Sequence, residues 1–133
     1  MVTTTTTAAS TPKRKGVNFQ GKRKESRLWV RARVMGFKRS KVRQYENTSL
    51  LQLEGVTSKK DAQFYIGKRV AYLYKSETHL SSGSNTYKGY RVVWGKITRP
   101  HGNAGTVRAK FAPQLPTTAI AQNVRVFLFP SNI

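Results

Sequence analysis

The stretch "RLWVRARVMGF", residues 27–37, alternates almost without a break. Leu28, Val30, Ala32 and Val34 fall on one side of a two-residue repeat, and Trp29, Arg31, Arg33 and Met35 on the other. A helix would gather its apolar residues at three- and four-residue spacing, whereas this period belongs to a half-buried strand. The segment therefore predicts one apolar face turned inward and one face bearing two arginines turned out.

The same reading extends along the chain. "SLLQLEG" (49–55) pairs Leu51 with Leu53, and "KRVAYLYK" (68–75) sets Val70, Tyr72 and Tyr74 against Ala71 and Leu73. "YRVVWGKIT" (90–98) follows, then "TVRAKF" (106–111), with Val107, Ala109 and Phe111 opposite Arg108 and Lys110. "NVRVFLFP" (123–130) places Val124, Val126 and Leu128 against Arg125, Phe127 and Phe129. One helix interrupts the strands. In "TSKKDAQFYIGKR" (57–69), Ser58 is placed to cap the first turn with Asp61 three residues on; Ala62, Tyr65 and Ile66 share a face, and Gly67 suits the stop, so about two turns are expected. "SSGSNTYKG" (81–89) reads as a mobile hairpin tip. The fold class is mainly all-β: a small six-stranded antiparallel barrel, closed or nearly so, with one short helix.

Composition adds a partner. The 133 residues carry 25 Lys and Arg against five acids, a formal charge of +20, with 38% hydrophobic and 11% aromatic residues. Such a chain has material for one folded domain, and its charge calls for a polyanion. Residues 1–26, "MVTTTTTAASTPKRKGVNFQGKRKES", show no strand or helix period and are read as a basic, Thr-rich tail; residues 27–133 form the single barrel domain. The tail's clusters Lys13, Arg14, Lys15 and Lys22, Arg23, Lys24 suit an RNA-seeking arm or a merely solvated extension. A mitochondrial transit peptide would also be poor in acids, but no amphipathic stripe is present. Outside the tail, nineteen basic and four acidic residues leave +15 on the domain itself, which favours completion by a partner over a free existence. No apolar run approaches the roughly 18 residues of a membrane span, no secretory apolar core opens the chain, and there is no cysteine for a disulfide, a thiolate zinc site or a thiol nucleophile. An intracellular protein without membrane attachment is expected.

"ITRPHGNAGTVRAKF" (97–111) raises the question of chemistry, because it holds His101 between a proline and a glycine. The chain has two histidines, His79 and His101, and neither is grouped with carboxylates at ligand spacing, so no metal is expected. No nucleophile elbow, phosphate loop or carboxylate pair stands out, so no catalytic residue is assigned. A nuclease built from distant residues meeting at His101 remains the enzymatic alternative, and a plain turn with His101 incidental is the bland one. The reading adopted is a phosphate- and sugar-contacting turn over 98–105: Arg99, His101 and Asn103 precede glycines that permit close backbone approach, and Arg108 and Lys110 follow on one strand face. Arg31 and Arg33, the basic loop Lys38, Arg39, Lys41 and Arg43, and the strand residues Lys68, Arg69, Lys96 and Arg125 complete the expected RNA-binding set. The aromatics Tyr72, Tyr74, Trp94 and Phe111 are assigned to the core. A free single-strand RNA-binding barrel is the rival in the binding class.

Three runs, "WGKITRPHGNAGTVRAKF" (94–111), "DAQFYIGKRVAYLYK" (61–75) and "RVFLFPSNI" (125–133), occur in the same order as in the thirty-five-Ae family of large-subunit ribosomal proteins, which the chain resembles from about Arg27 to Ile133. The resemblance implies a barrel similar to that of translation factors, embedded in large-subunit ribosomal RNA among neighbouring ribosomal proteins. It implies no enzymatic role, cofactor, small-molecule substrate or homo-oligomer, and a place in the cytosolic ribosome, with nucleolar assembly in a eukaryote. The family's turn falls on Thr98, Arg99, His101, Gly102, Asn103, Gly105, Val107, Arg108, Ala109, Lys110 and Phe111, and its "GKR" on Gly67, Lys68 and Arg69. Ala104 stands where relatives commonly have serine, and the Thr-rich tail is longer than the family's short start.

Overall fold

Alternating side chains become an inside and an outside once the sheet closes. The computed structural model describes residues 27–76 and 89–131. Six strands lie in them: β1 (Trp29–Arg39), β2 (Gln44–Leu53), β3 (Arg69–Lys75), β4 (Tyr90–His101), β5 (Thr106–Ala112) and β6 (Asn123–Phe127), with helix α1 (Lys59–Gln63) between β2 and β3. The strands form a closed barrel in the order β1-β2-β5-β4-β3-β6, every neighbouring pair antiparallel. Closure leaves no sheet edge to be managed.

The interior is built from the residues that alternation points inward: Ala32 and Val34, Leu51 and Leu53, Val70 and Tyr72, Val93 and Ile97, Val107 and Ala109, Val124 and Val126 are all buried. Gly95 takes the inward position between Val93 and Ile97. It is paired with Phe111, and a Cβ there would stand 2.6 Å from Cδ1 of that ring, so its bareness is what admits Phe111 against the core. Leu28, by contrast, is exposed and contributes nothing inside.

Three register shifts break the alternation; one, between Phe37 and Lys38, lies where the β1–β2 hairpin leaves the core, and the other two decide which residues face out. Between Val34 and Gly36 the β1–β2 register shifts by one, with Gly36 at φ 143°, so Phe37 enters the core although strict alternation from Val34 would turn it outward. Between Ile97 and Arg99 the β4–β5 register shifts again. Without that shift Arg99 and His101 would share the inward parity of Ile97; with it they lie on the outer face beside Arg108.

The helix is shorter than the expected two turns. Ser58 caps it, its Oγ accepting from the Asp61 N–H at 3.2 Å and donating to the Asp61 carboxylate at 2.7 Å. Past Gln63 the bonds tighten to three-residue spacing, Phe64 to Asp61, Tyr65 to Ala62 and Ile66 to Gln63. The chain is then claimed by β4, since Gly67 N–H donates to Ile97 O and Ile97 N–H to Lys68 O. The basic loop is likewise corrected: Lys38 and Arg39 are the last residues of β1, paired with Tyr45 and Gln44, and only residues 40–43 form the turn. β4 runs through His101, so the turn expected over 98–105 is confined to 102–105. Of the expected hairpin tip all but Gly89 lies outside the described residues, as does the tail of 1–26.

Candidate nucleic-acid interface

Closing the barrel lines up cations that the sequence holds far apart. Arg31 on β1 is the direct partner of Arg125 on β6. Arg69 on β3 faces Lys96 on β4, which in turn faces Lys110 on β5. Arg99 faces Arg108 across the bulge. Like charges placed directly opposite in a sheet cost about 0.2–1 kcal/mol a pair. Acids are few around them: among the described residues there are eighteen Lys and Arg against Glu46, Glu54 and Asp61; Glu46 and Asp61 accept from Gln44 and Ser58, and Glu54 lies beside Arg31 and Arg33, its N–H donating to Arg31 O at 3.0 Å. The outer surface is thus shaped for an anion with many charges.

Within the turn region the geometry is specific. His101 pairs with Thr106, which sets Arg108 on its diagonal, and the Arg108 Nε donates to His101 Nδ1 at 2.9 Å. A ring nitrogen that accepts from a guanidinium is unprotonated, so the imidazole proton sits on Nε2. Burial, with the Arg108 charge beside it, holds the His101 pKa below the ordinary 6.5. The residue is therefore a neutral acceptor that fixes Arg108, and its partner is a cation where a catalytic histidine would have an orienting carboxylate. Thr98 Oγ1 donates to Arg108 O at 3.1 Å and ties the bulge to β5. Gly105, at φ 81°, closes the turn against the Val56 carbonyl, where no Cβ fits.

A second basic element is the β1–β2 hairpin, whose residues 38–47 are exposed on both faces and stand clear of the core. Ser40 N–H donates to Arg43 O at 2.7 Å and Arg43 N–H to Ser40 Oγ at 3.0 Å, which shapes the tip. Lys38 Nζ and Arg43 Cζ lie 5.3 and 5.5 Å from the centre of the Tyr45 ring. Lys41 and Arg39 are exposed beside them.

Of the expected contact residues, Arg31, Arg33, Lys38, Arg39, Lys41, Arg43, Arg69, Lys96, Arg99, Asn103, Lys110 and Arg125 are exposed, and His101 and Arg108 are half-buried. Lys68 is a correction. Its side chain is 1% exposed, its Nζ donates to Pro130 O at 2.7 Å and lies 4.8 Å from the Phe64 ring centre, so it braces the C-terminal segment and is not on the surface. Lys13, Arg14, Lys15, Lys22, Arg23 and Lys24 lie outside the described residues.

The aromatic assignments divide. Tyr72 is buried and Phe111 packs on the core, but Tyr74 and Trp94 are exposed, Trp94 by 44%. Trp94 was legible as outward, since it stands between the inward positions Val93 and Gly95, had the bare glycine been counted as a core position. Arg27 is outside the expected set: it lies over the Trp29 ring at 4.6 Å, with the expected Arg125 over the same ring at 4.7 Å, a pairing no local pattern announces. Among the described residues no three His, Cys, Asp or Glu side chains are grouped to hold a metal, and no helix is long and apolar enough to cross a membrane.

Fold and surface together define a small, strongly basic six-stranded β-barrel whose outer strand faces carry opposed cations. The family can be stated outright. Residues 28–127 match the profile of Ribosomal protein L35Ae, and the chain belongs to that family. It is similar to the large ribosomal subunit protein eL33 of Caenorhabditis elegans, 56% identical over 108 residues covering 80% of this chain and 87% of the relative. The proteins of the same name in Candida albicans and Schizosaccharomyces pombe (eL33A there) are 46% and 44% identical over 107 residues, covering 95% and 94% of their lengths. Membership makes the chain a ribosomal protein, a structural component rather than an enzyme.

Proposed function

We propose that this protein is an integral constituent of the large subunit of the cytosolic ribosome, where it neutralises and positions ribosomal RNA segments that would otherwise repel one another. The observation that carries this reading is the unbroken cationic row Arg69–Lys96–Lys110, three opposed like charges with no ion-paired acid among the described residues. A free protein gains nothing from such a row; a polyanion converts its repulsion into binding. The row continues along β4 and β5 into Arg99, Arg108 and the neutral His101, with Asn103 in the turn, while Arg31, Arg33 and Arg125 present a second front. The exposed hairpin of Lys38, Arg39, Lys41 and Arg43 reaches a further RNA segment, and the tail cations Lys13, Arg14, Lys15, Lys22, Arg23 and Lys24 add phosphate contacts. Neighbouring large-subunit proteins complete the surroundings, with assembly in the nucleolus if the source is a eukaryote.

Sedimentation of a gentle lysate on sucrose gradients at moderate and high salt, with the protein followed by antibody, tests this. Co-migration with the large subunit that survives high salt is expected. A protein that stays at the top of the gradient at both salts would instead act as a free RNA-binding barrel. Arg99→Ala and Arg108→Ala are expected to weaken incorporation and to lower the salt slope of binding to large-subunit RNA by about 0.7 to 0.9 per lost phosphate contact.

A further inference from the structure

Next to the Arg69–Lys96–Lys110 row the outer surface carries an aromatic plate. Trp94 lies one outward step along β4 from Lys96, flanked across the ladders by Ala71 on β3 and Ala112 on β5. Both neighbours are small, so the indole is not walled in by its strand partners, and it remains 44% exposed. Ala71 also lets Trp94 and Phe127 meet across β3, their ring centres 5.5 Å apart, with Phe129 a further 5.0 Å on. The three rings brace one another from the Phe127 side. Toward the row, Trp94, Arg69, Lys96, Lys110, Ala112 and Pro130 border a shallow hollow of about 560 Å³, within the size range of small-ligand sites.

An exposed indole beside uncompensated cations matches the two parts of an unstacked nucleotide, a flat base and a phosphate. A peptide occupant would have to supply carboxylates for the three cations together with an aromatic or apolar face, whereas each nucleotide carries both features. Trp29, the chain's other tryptophan, is differently placed, because the Arg27 and Arg125 guanidinium groups already lie over its ring. We propose that Trp94 is a stacking platform for a single unpaired base of ribosomal RNA, whose flanking phosphates are held by Lys96, Lys110 and Arg69. This rests on the RNA-binding reading above and adds to it a place where one base leaves its helix.

The test uses the full chain, with large-subunit ribosomal RNA and a short single-stranded oligouridylate as probes, and follows tryptophan emission and affinity against salt. Trp29→Phe keeps an aromatic under the two arginines and makes Trp94 the only emitter. Saturating RNA is expected to quench that emission. Trp94→Leu is expected to weaken binding about 5- to 150-fold with the salt slope unchanged. Trp94→Phe should restore most of the loss, and Lys96→Ala should lower the slope by about 0.7 to 0.9. Emission that RNA leaves unchanged, with Trp94→Leu binding as the parent does, overturns the platform while leaving RNA binding intact. Loss of Trp94→Leu from the large subunit despite parental RNA affinity overturns it too, and assigns the plate to a neighbouring protein. A parent chain that binds neither RNA would sink the wider reading as well.

Discussion

His101, read in the sequence as a contact of the turn with catalysis the alternative, is tied in space to Arg108. Its Nδ1 is committed to the Arg108 guanidinium, and its pKa is held below 6.5. The unfolded chain therefore takes up a proton near 6.5 while the folded one takes it up only at lower pH. In that interval the unfolded state binds more protons, so the stabilising contribution is full above 6.5 and is lost as pH falls through the folded value. Denaturant midpoints on either side of this window should fall on acidification in the parent, and less steeply in His101→Gln, which keeps an acceptor that does not titrate. The turn glycines separate backbone strain from crowding. Gly102 at φ 68° has open space around its missing side chain, and Gly102→Ala should cost about 1 kcal/mol. Gly105 at φ 81° faces the Val56 carbonyl, and Gly105→Ala should cost about 2 kcal/mol or more. Urea unfolding at constant m-value measures both.

At the scale of elements, the register shifts at Val34/Gly36 and Ile97/Arg99 matter more than any single strand. Alternation read in the sequence placed Ala32, Val34, Val107, Ala109, Val124 and Val126 inward, and each is buried. It had no means of placing Phe37, Arg99 or His101, because a bulge is a relation between two strands and leaves in one strand at most a glycine such as Gly36. Helix α1 was recognised by its cap and overextended because the pull of β4 on Gly67 and Lys68 is a tertiary term. Lys68 fails as a surface cation for the same reason, since Pro130 comes to it from the far end of the chain. Lys68→Met keeps the buried stem and removes the charged donor, and it should destabilise the barrel by about 1.5–3 kcal/mol. Amide exchange should quicken at Arg69, whose N–H donates to Phe129 O at 3.0 Å, while the salt slope of RNA binding stays that of the parent.

For the whole molecule, charge and fold oppose one another. Opposed cations work against the compact state in the free protein, and in the proposed function the same cations carry binding. Replacing Lys96 by threonine should therefore raise the denaturant midpoint of the free protein by an amount equivalent to about 0.2–1 kcal/mol, while weakening RNA binding and flattening its salt dependence. A variant that lost stability and RNA affinity together would place Lys96 in the scaffold instead. Added polyphosphate should raise the thermal midpoint of the parent more than that of Lys96→Thr.

By itself the sequence determined the strand count, most of the inward residues, the helix cap, a strongly cationic surface and, through three motifs, the family, because each of these is written in local period, composition or run of residues. Only the tertiary structure decided which cations stand opposite one another, that Lys68 is spent on Pro130, that His101 serves Arg108, and that Trp94 lies open beside a charged row. Those facts depend on register between strands distant in the chain, and register is set by closure of the barrel and its bulges rather than by any one segment.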